Sequence, residues 1–167
     1  KSPKHRIAAL AVPADVYLIS RDNIVWLIGH MGVAGFLRRF KWVVVDEWSS
    51  FKSRTSQRFK ALKKISGKLD RFTGLTGTPI STGLLDLWSQ MYLLDKGERL
   101  EKFIGVYRDL YFKPDKRDGD TIYSYKLRPG AEIQIYDKIA DVCISMQAED
   151  WLDLKPRIDV VTNVYFS

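Results

Sequence analysis

Two adjacent carboxylates, Asp46 and Glu47, directly follow four apolar residues, Trp42-Val43-Val44-Val45. A continuous apolar run without alternation fits a strand buried on both faces of a parallel sheet. Both acids then sit at the carboxyl end of that strand, the edge where open α/β sheets bind ligands. Adjacent acids there suit two tasks. One can hold Mg²⁺, directly or through its water shell, because this hard ion takes oxygen ligands. The other can orient and deprotonate a water as a general base. Strand ends that simply reach solvent also carry Asp and Glu, so the pair alone leaves both readings open. About 30 residues later a second apolar run, Arg71–Leu75, ends in Thr76-Gly77-Thr78-Pro79. Two hydroxyls flank a glycine that permits a tight turn, and Pro79 stops the ladder. Such hydroxyls can bond carboxylates of a neighbouring strand, while Thr78 or Ser81 can equally cap a following helix.

From Phe51 to Lys68 the charged residues are Lys52, Arg54, Arg58, Lys60, Lys63, Lys64 and Lys68, with no acid among them. Runs of one sign are commonly solvated helix faces. Beside the acidic pair, the same cations suit phosphate contacts that position a nucleic acid without reading its sequence. His5 and His30 lack the partners that metal or triad chemistry needs and read as ordinary surface or loop residues. Trp88, Tyr92, Tyr107, Tyr111 and Phe112 fall at helical spacing and read as core rather than a base-stacking platform.

The elements that must position these groups are legible in outline. Arg6–Val12 and Asp15–Ser20 read as short apolar, β-branched segments broken by Pro13, with a strand near Val16–Ile19. A helical turn or two is expected at Asn23–Ile28, then a loop marked by Gly29, Gly32 and Gly35. Phe59, Leu62 and Ile65 with interleaved cations predict an amphipathic helix over Ser53–Ile65. Leu84–Leu94 and Leu100–Phe112 predict two more helices. Lys113–Asp120 reads as a loop, Thr121–Leu127 as a hairpin strand, and Pro129 as the first turn of a helix to about Val142. Arg157–Phe166 looks extended. Strands alternating with helices in the first half point to an α/β sheet.

The 167 residues suggest one domain or a compact piece of one, and 46% hydrophobic residues are ample for a core. The longest apolar runs, Ile7–Val12, Ile24–Ile28 and Trp42–Val45, are far short of the roughly 20 residues of a membrane helix. Cys143 is the only cysteine, which excludes an internal disulfide and a cysteine zinc cluster, and it is expected to be a small buried hydrophobe. No signal-peptide pattern opens the chain, so a reducing cytoplasm is the expected compartment. The chain starts at Lys1 rather than Met, as an excised or processed piece would. With 27 Lys and Arg against 20 Asp and Glu, the net charge of +7 makes a polyanionic partner plausible.

Taken together, apolar strand, Asp-Glu, basic helix, apolar strand, Thr-Gly-Thr-Pro and aromatic helix resemble the middle of the first motor lobe of superfamily-two helicases. The fit is best to the Snf-type branch that includes chromatin remodellers and their phage-encoded relatives. Val43–Glu47 is similar to motif II, the Walker B strand, and Leu75–Pro79 to motif III. Leu84-Leu85-Asp86-Leu87-Trp88-Ser89 is similar to the family's Glu-Leu-Trp helix. Ser49–Leu62 and Asp95-Lys96-Gly97-Glu98-Arg99-Leu100 look most like the phage versions, and Ile144–Ser167 like the end of lobe one. Trp48 and Ser49 depart from the family's usual Ala or Leu followed by His, and Thr82 from its usual Asn.

The resemblance implies an α/β, RecA-like partial lobe of the P-loop NTPase type over residues 1–167. Residues 1–95 would form the sheet core, and residues 96–167 a mixed helical and strand extension towards an inter-lobe linker. It implies a DNA-stimulated ATPase that moves on duplex DNA, independent of sequence, in a bacterial or phage-infected cell. Asp46 would hold Mg²⁺, directly or through water, and Glu47 would activate the attacking water. Thr76, Gly77, Thr78 and Pro79 would couple hydrolysis to DNA contacts made by Lys52, Arg54, Arg58, Lys60, Lys63 and Lys64. Mg²⁺ and ATP are expected in the intact protein and neither in this chain. No G-x-x-x-x-G-K-[S/T] loop occurs: Gly67-Lys68 has Leu62 five residues upstream and Leu69 downstream. Without that phosphate cradle, and without a second lobe to supply an arginine finger, the chain alone is expected to be inactive. Two alternatives remain at this point. One is a non-catalytic basic nucleic-acid-binding domain; the other is a metal-dependent nuclease using Asp46, Glu47 and Lys52.

Overall fold

The computed structural model describes residues 2–77 and 83–146. Thr78, Pro79, Ser81 and Thr82 lie outside the described residues. So do the extended segment expected at Arg157–Phe166 and the tail from residue 147 onward.

The fold is mixed α/β, with a small parallel sheet flanked by helices, as expected and compatible with a partial RecA-like lobe. Strand β1 (Trp42–Val45) pairs in parallel with β2 (Arg71–Gly74), in register from Trp42↔Arg71 to Val45↔Gly74. Between them run a 3-10 turn (Trp48–Phe51) and helix α3 (Gln57–Lys63). Helix α3 is shorter than expected because Ser56 caps it, accepting a hydrogen bond from Phe59 N at 3.2 Å. Phe59 and Leu62 on its inner side and Ile65 just beyond its end are buried, as the three-residue spacing predicted.

The N-terminal third departs from expectation. Arg6–Val12 is not extended: helix α1 (Pro3–Ala11) covers most of it. Three alanines and Leu10 outweigh Ile7 there in intrinsic preference. Val16–Ile19 forms no strand. Tyr17 holds that segment in place instead, its hydroxyl donating to Val12 O (2.8 Å) and accepting from Ala14 N (3.0 Å) and Arg39 Nη2 (2.7 Å). Its ring meets Phe40 edge-on. Gly29 and Gly35 do not make a loop either; they lie in the two helical segments of α2 (Ile24–Arg39), which Gly32 interrupts with a non-helical φ of 66° and ψ of 161°. Ile28, Met31, Val33, Phe36 and Leu37 pack into the core between them. That burial outweighs the penalty of about 1 kcal/mol that each helical glycine carries.

Nor is β1 buried on both faces. Val45 is buried, whereas Val44 is 50% exposed. Trp42, Val43 and Val44 border a cavity of about 710 Å³ shared with α1 and the Tyr17–Ser20 segment.

Helix α4 (Leu84–Asp95) buries residues on every side, and α5 (Ile104–Tyr111) follows. Strand β3 (Phe112–Asp118) then replaces the loop expected over Lys113–Asp120 and pairs antiparallel with β4 (Thr121–Leu127). Pro114 is tolerated because a two-stranded hairpin has open edges, and the register shifts just after it. Helix α6 (Ala131–Ile139) starts after Gly130 (φ 75°), so Pro129 precedes the helix rather than occupying its first turn. Among the described residues the core forms two clusters: one gathers α2, β1, the 3-10 turn, α3 and Leu93 of α4; the other gathers the rest of the buried face of α4 with α5 and α6. Trp88, Tyr107, Tyr111 and Phe112 are buried core residues, with Tyr92 partly buried beside them. Cys143 is exposed, not buried, since it follows the end of α6 rather than lying on its buried face. No helix among the described residues is long and apolar enough to cross a membrane.

Candidate functional site

The parallel ladder does not stop where β1 ends. Leu75 N donates to Val45 O (2.9 Å), and Trp48 N returns to donate to Leu75 O (2.8 Å). Asp46 and Glu47 are therefore looped out between two bonds to one residue of the neighbouring strand, and both are exposed. The chain can return so sharply because Glu47 adopts the left-handed conformation, with φ 53° and ψ 52°. Asp46 Oδ1 accepts from Glu47 N at 2.9 Å. Glu47 O accepts from Ser50 N (2.9 Å) and from Arg21 Nη1 (3.5 Å).

Trp48 anchors the far side of this loop. It is buried, stacks near Phe51 and meets Phe72 edge-on. A Cβ at Gly74 would stand 2.6 Å from its ring, so the indole fits only because residue 74 has no side chain. Gly74, Trp48 and Arg21 escape a reading of motifs. Only the glycine at the end of an apolar run carried any signal, because bare glycines in strands mark close approaches.

Because the two strands are parallel, Asp46, Glu47, Thr76 and Gly77 leave the sheet at the same carboxyl edge, as expected. Thr76 is half-buried there and Gly77 exposed. Neither histidine joins them. His5 Nδ1 is bonded to Ser2 Oγ (2.8 Å) and His30 stacks on Trp26.

The basic stretch divides. Lys52 and Arg54 line a cleft of about 330 Å³ together with Arg108 of α5 and Asp86 of α4. Arg58 is tied down, bonded to Asp22 at 3.1 Å and placed over the Phe51 ring. The absence of acids within Phe51–Lys68 therefore does not leave Arg58 uncompensated; its partner is 36 residues away in the chain. Lys63 lies over the Tyr92 ring at 4.8 Å. Lys60 and Lys64 are exposed on α3 and at its end. Nearby, burial holds the Lys96 ammonium below the ordinary lysine range, with the charges of Lys63 and Lys68 adding to the effect. It donates to Lys63 O (3.0 Å) and Ser66 Oγ (2.6 Å).

Over 169 aligned residues the chain is 36% identical to putative protein p41 of Acyrthosiphon pisum secondary endosymbiont phage 1. That alignment takes in 98% of the chain and 36% of p41. Over 52 residues it is 48% identical to an uncharacterized ATP-dependent helicase of Mycoplasma pneumoniae, covering 31% of the chain and 5% of that protein. Helicase ssl-1 of Caenorhabditis elegans matches over 57 residues at 37% identity, 34% of the chain and 2% of the helicase. Over about a third of its length, then, the chain is related to proteins named as helicases. It spans about a third of the phage protein and a few per cent of the helicases. No family model and no solved structure matches it.

Proposed function

We propose that the chain is part of the first RecA-like lobe of an Snf-type helicase or translocase, whose intact form hydrolyses ATP to move on duplex DNA. The observation that carries this reading is the looped-out Asp46-Glu47 pair at the same parallel-sheet edge as Leu75-Thr76. The partial likeness to ATP-dependent helicases supports nucleotide hydrolysis and a nucleic-acid partner. In this reading residues 1–95 form the sheet core and residues 96–167 lead towards a second lobe. The protein works in the cytoplasm of a bacterial or phage-infected cell.

Asp46 is the residue we assign to Mg²⁺. Exposed carboxylate oxygens are the donors this ion takes, and Mg²⁺ on a nucleotide needs only one or two of them because it keeps water and phosphate oxygens as its other ligands. Accordingly, the described residues need not contain a cluster of three or more ligating side chains, and they contain none. When bound with ATP, the ion supplies charge neutralisation on the phosphate oxygens. Glu47, next in the loop, orients a water and accepts its proton. The bond from the Glu47 backbone amide to Asp46 Oδ1 holds the Asp46 carboxylate against the loop backbone. Thr76 and Gly77, which follow the adjacent strand, and Thr78 and Pro79, next in sequence, carry the state of the nucleotide towards the DNA surface.

Glu47→Gln in the full-length protein tests the assignment. ATP hydrolysis should fall by roughly 10²–10⁴, the span of general-base assistance, with DNA binding retained. Unchanged hydrolysis would refute the role of Glu47, and a full-length protein with no ATPase at all would leave the basic binding module. The 167-residue chain alone should show no significant turnover with DNA and Mg²⁺.

A further inference from the structure

We propose that the cleft between residues 52–55 and helices α4 and α5 is a phosphate site that grips the phosphodiester backbone of a nucleic acid, with Arg108 as its anchor. This rests on the nucleic-acid reading above and gives it a location that the motifs do not mark.

Among the described residues three cations, Lys52, Arg54 and Arg108, line this cleft against one acid, Asp86. Arg108 is the informative one. Its Nη1 donates to Tyr125 OH at 3.2 Å and its guanidinium lies 5.2 Å from the centre of that ring, so the side chain is held in place. Yet its Nε–H is buried without an acceptor, and Arg108 joins no salt bridge among the described residues. Other arginines of the fold are satisfied: Arg58 by Asp22, Arg99 by Asp95 and Asp141, Arg39 by Leu10 O and Tyr17 OH. A buried charged donor left unmade is expensive, and an anion offering two oxygens to the guanidinium fork resolves it. Phosphate matches that fork in charge and geometry.

The rest of the lining says which phosphate. The Ser53 and Thr55 hydroxyls are hydrogen-bonded to each other at 3.1 Å on the loop, which leaves one of their two protons to offer to an anionic oxygen. Among the described residues no aromatic side chain lines the cleft, so none of them stacks a nucleobase there. A free nucleotide would normally be held by its base as well as its phosphates. A backbone phosphate, delivered by a polymer whose bases lie elsewhere, needs only what is present. Lys52 follows Glu47 by five residues through one 3-10 turn, so a strand gripped here is linked by a short, buried path (Trp48, Phe51) to the looped-out carboxylates.

The test uses the chain with a fluorescein-labelled 20-base-pair duplex, anisotropy over a range of salt, and the ¹⁵N resonance of the Arg108 Nε–H. Arg108→Gln should weaken binding about tenfold, the size of one charge-assisted contact. It should also flatten the plot of log affinity against log salt by about one unit. Arg108→Lys, which keeps the charge but loses the fork, should fall between. The pair Lys113→Ala and Lys116→Ala, on the hairpin, should change the slope little, which separates a local contact from bulk charge. In the unsubstituted chain the Nε–H resonance should move with micromolar duplex and stay in place with millimolar inorganic phosphate; this arm decides the matter even if Arg108→Gln folds poorly. Duplex binding with an unmoved Nε–H resonance and an unaltered Arg108→Gln slope overturns the cleft and leaves the nucleic-acid partner intact. Saturation by inorganic phosphate but not by duplex overturns the backbone assignment. No duplex binding even at low salt removes both the cleft proposal and the nucleic-acid reading beneath it.

Discussion

A single absent methyl at position 74 decides where Trp48 lies. Gly74→Ala would drive a Cβ to 2.6 Å from an indole that is already buried and flanked by Phe51 and Phe72. Overpacking of this kind costs about 1–3 kcal/mol, so the midpoint of chemical denaturation should fall accordingly. Because the penalty belongs to the pair, Trp48→Leu in the same chain should recover part of it, and the double mutant should be less than additive. Residue 47 raises the opposite issue. Its left-handed backbone (φ 53°) costs an L-residue roughly 1 kcal/mol that glycine avoids. Glu47→Gly should therefore be more stable than Glu47→Ala by about that amount, by thermal or urea unfolding. If Ala and Gly prove equal, the turn at 46–47 is relaxed and the positive φ has no energetic meaning.

The segment Asp95-Lys96-Gly97-Glu98-Arg99 closes α4, and its order follows from one carboxylate. Asp95 accepts from the backbone N–H groups of Gly97 (2.8 Å), Glu98 (3.2 Å) and Arg99 (3.1 Å) while pairing with the Arg99 guanidinium. Lys96 and Gly97 both turn through positive φ, and a Cβ on Gly97 would collide with Glu101 O at 2.4 Å. Asp95→Ala should cost about 1–3 kcal/mol, since it orphans several half-buried donors together. Arg99 also holds Asp141 (2.6 Å), and this hydrogen bond lowers the Asp141 carboxyl below its ordinary range. The sign follows: the contribution is complete above the ordinary aspartate range and disappears as pH falls through the lower, folded value. Arg99→Gln should remove that acid limb from a plot of stability against pH, and added salt should shrink it because Asp141 is exposed. At this scale the sequence was legible where one local rule acted alone. The apolar runs at Trp42–Val45 and Arg71–Leu75 announced strands, and parallel pairing then brought Asp46, Glu47 and Thr76 to one edge. Reading failed where a distant partner overruled a local preference. Packing kept Gly29 and Gly35 helical on either side of the break at Gly32, Tyr17 kept its segment out of the sheet, and pairing with β4 made a strand of charged, proline-bearing residues at Phe112–Asp118. The site shows the same division: its carboxylates lie in a motif, whereas Arg108 meets Lys52 and Arg54 only through tertiary packing.

For the molecule as a whole, the charge of +7 predicts association that is indifferent to base sequence. Duplexes of equal length and different sequence should bind within about twofold of each other, whereas a fourfold rise in salt should weaken each by roughly a hundredfold if about three to four phosphates are engaged. A strong preference for one sequence would indicate base-edge contacts that none of these cations was assigned. The two core clusters meet along α4, with Leu93 in one and Leu84, Leu87, Trp88 and Met91 in the other. That shared helix has a consequence in time rather than in space. An amide of α4 is released to solvent only when both clusters have let go, so its exchange with deuterium is guarded by two openings in series. Phe59→Ala should speed exchange in α3, and Ile135→Ala in α6, while each leaves α4 among the slowest amides; only the two together should set α4 exchanging freely.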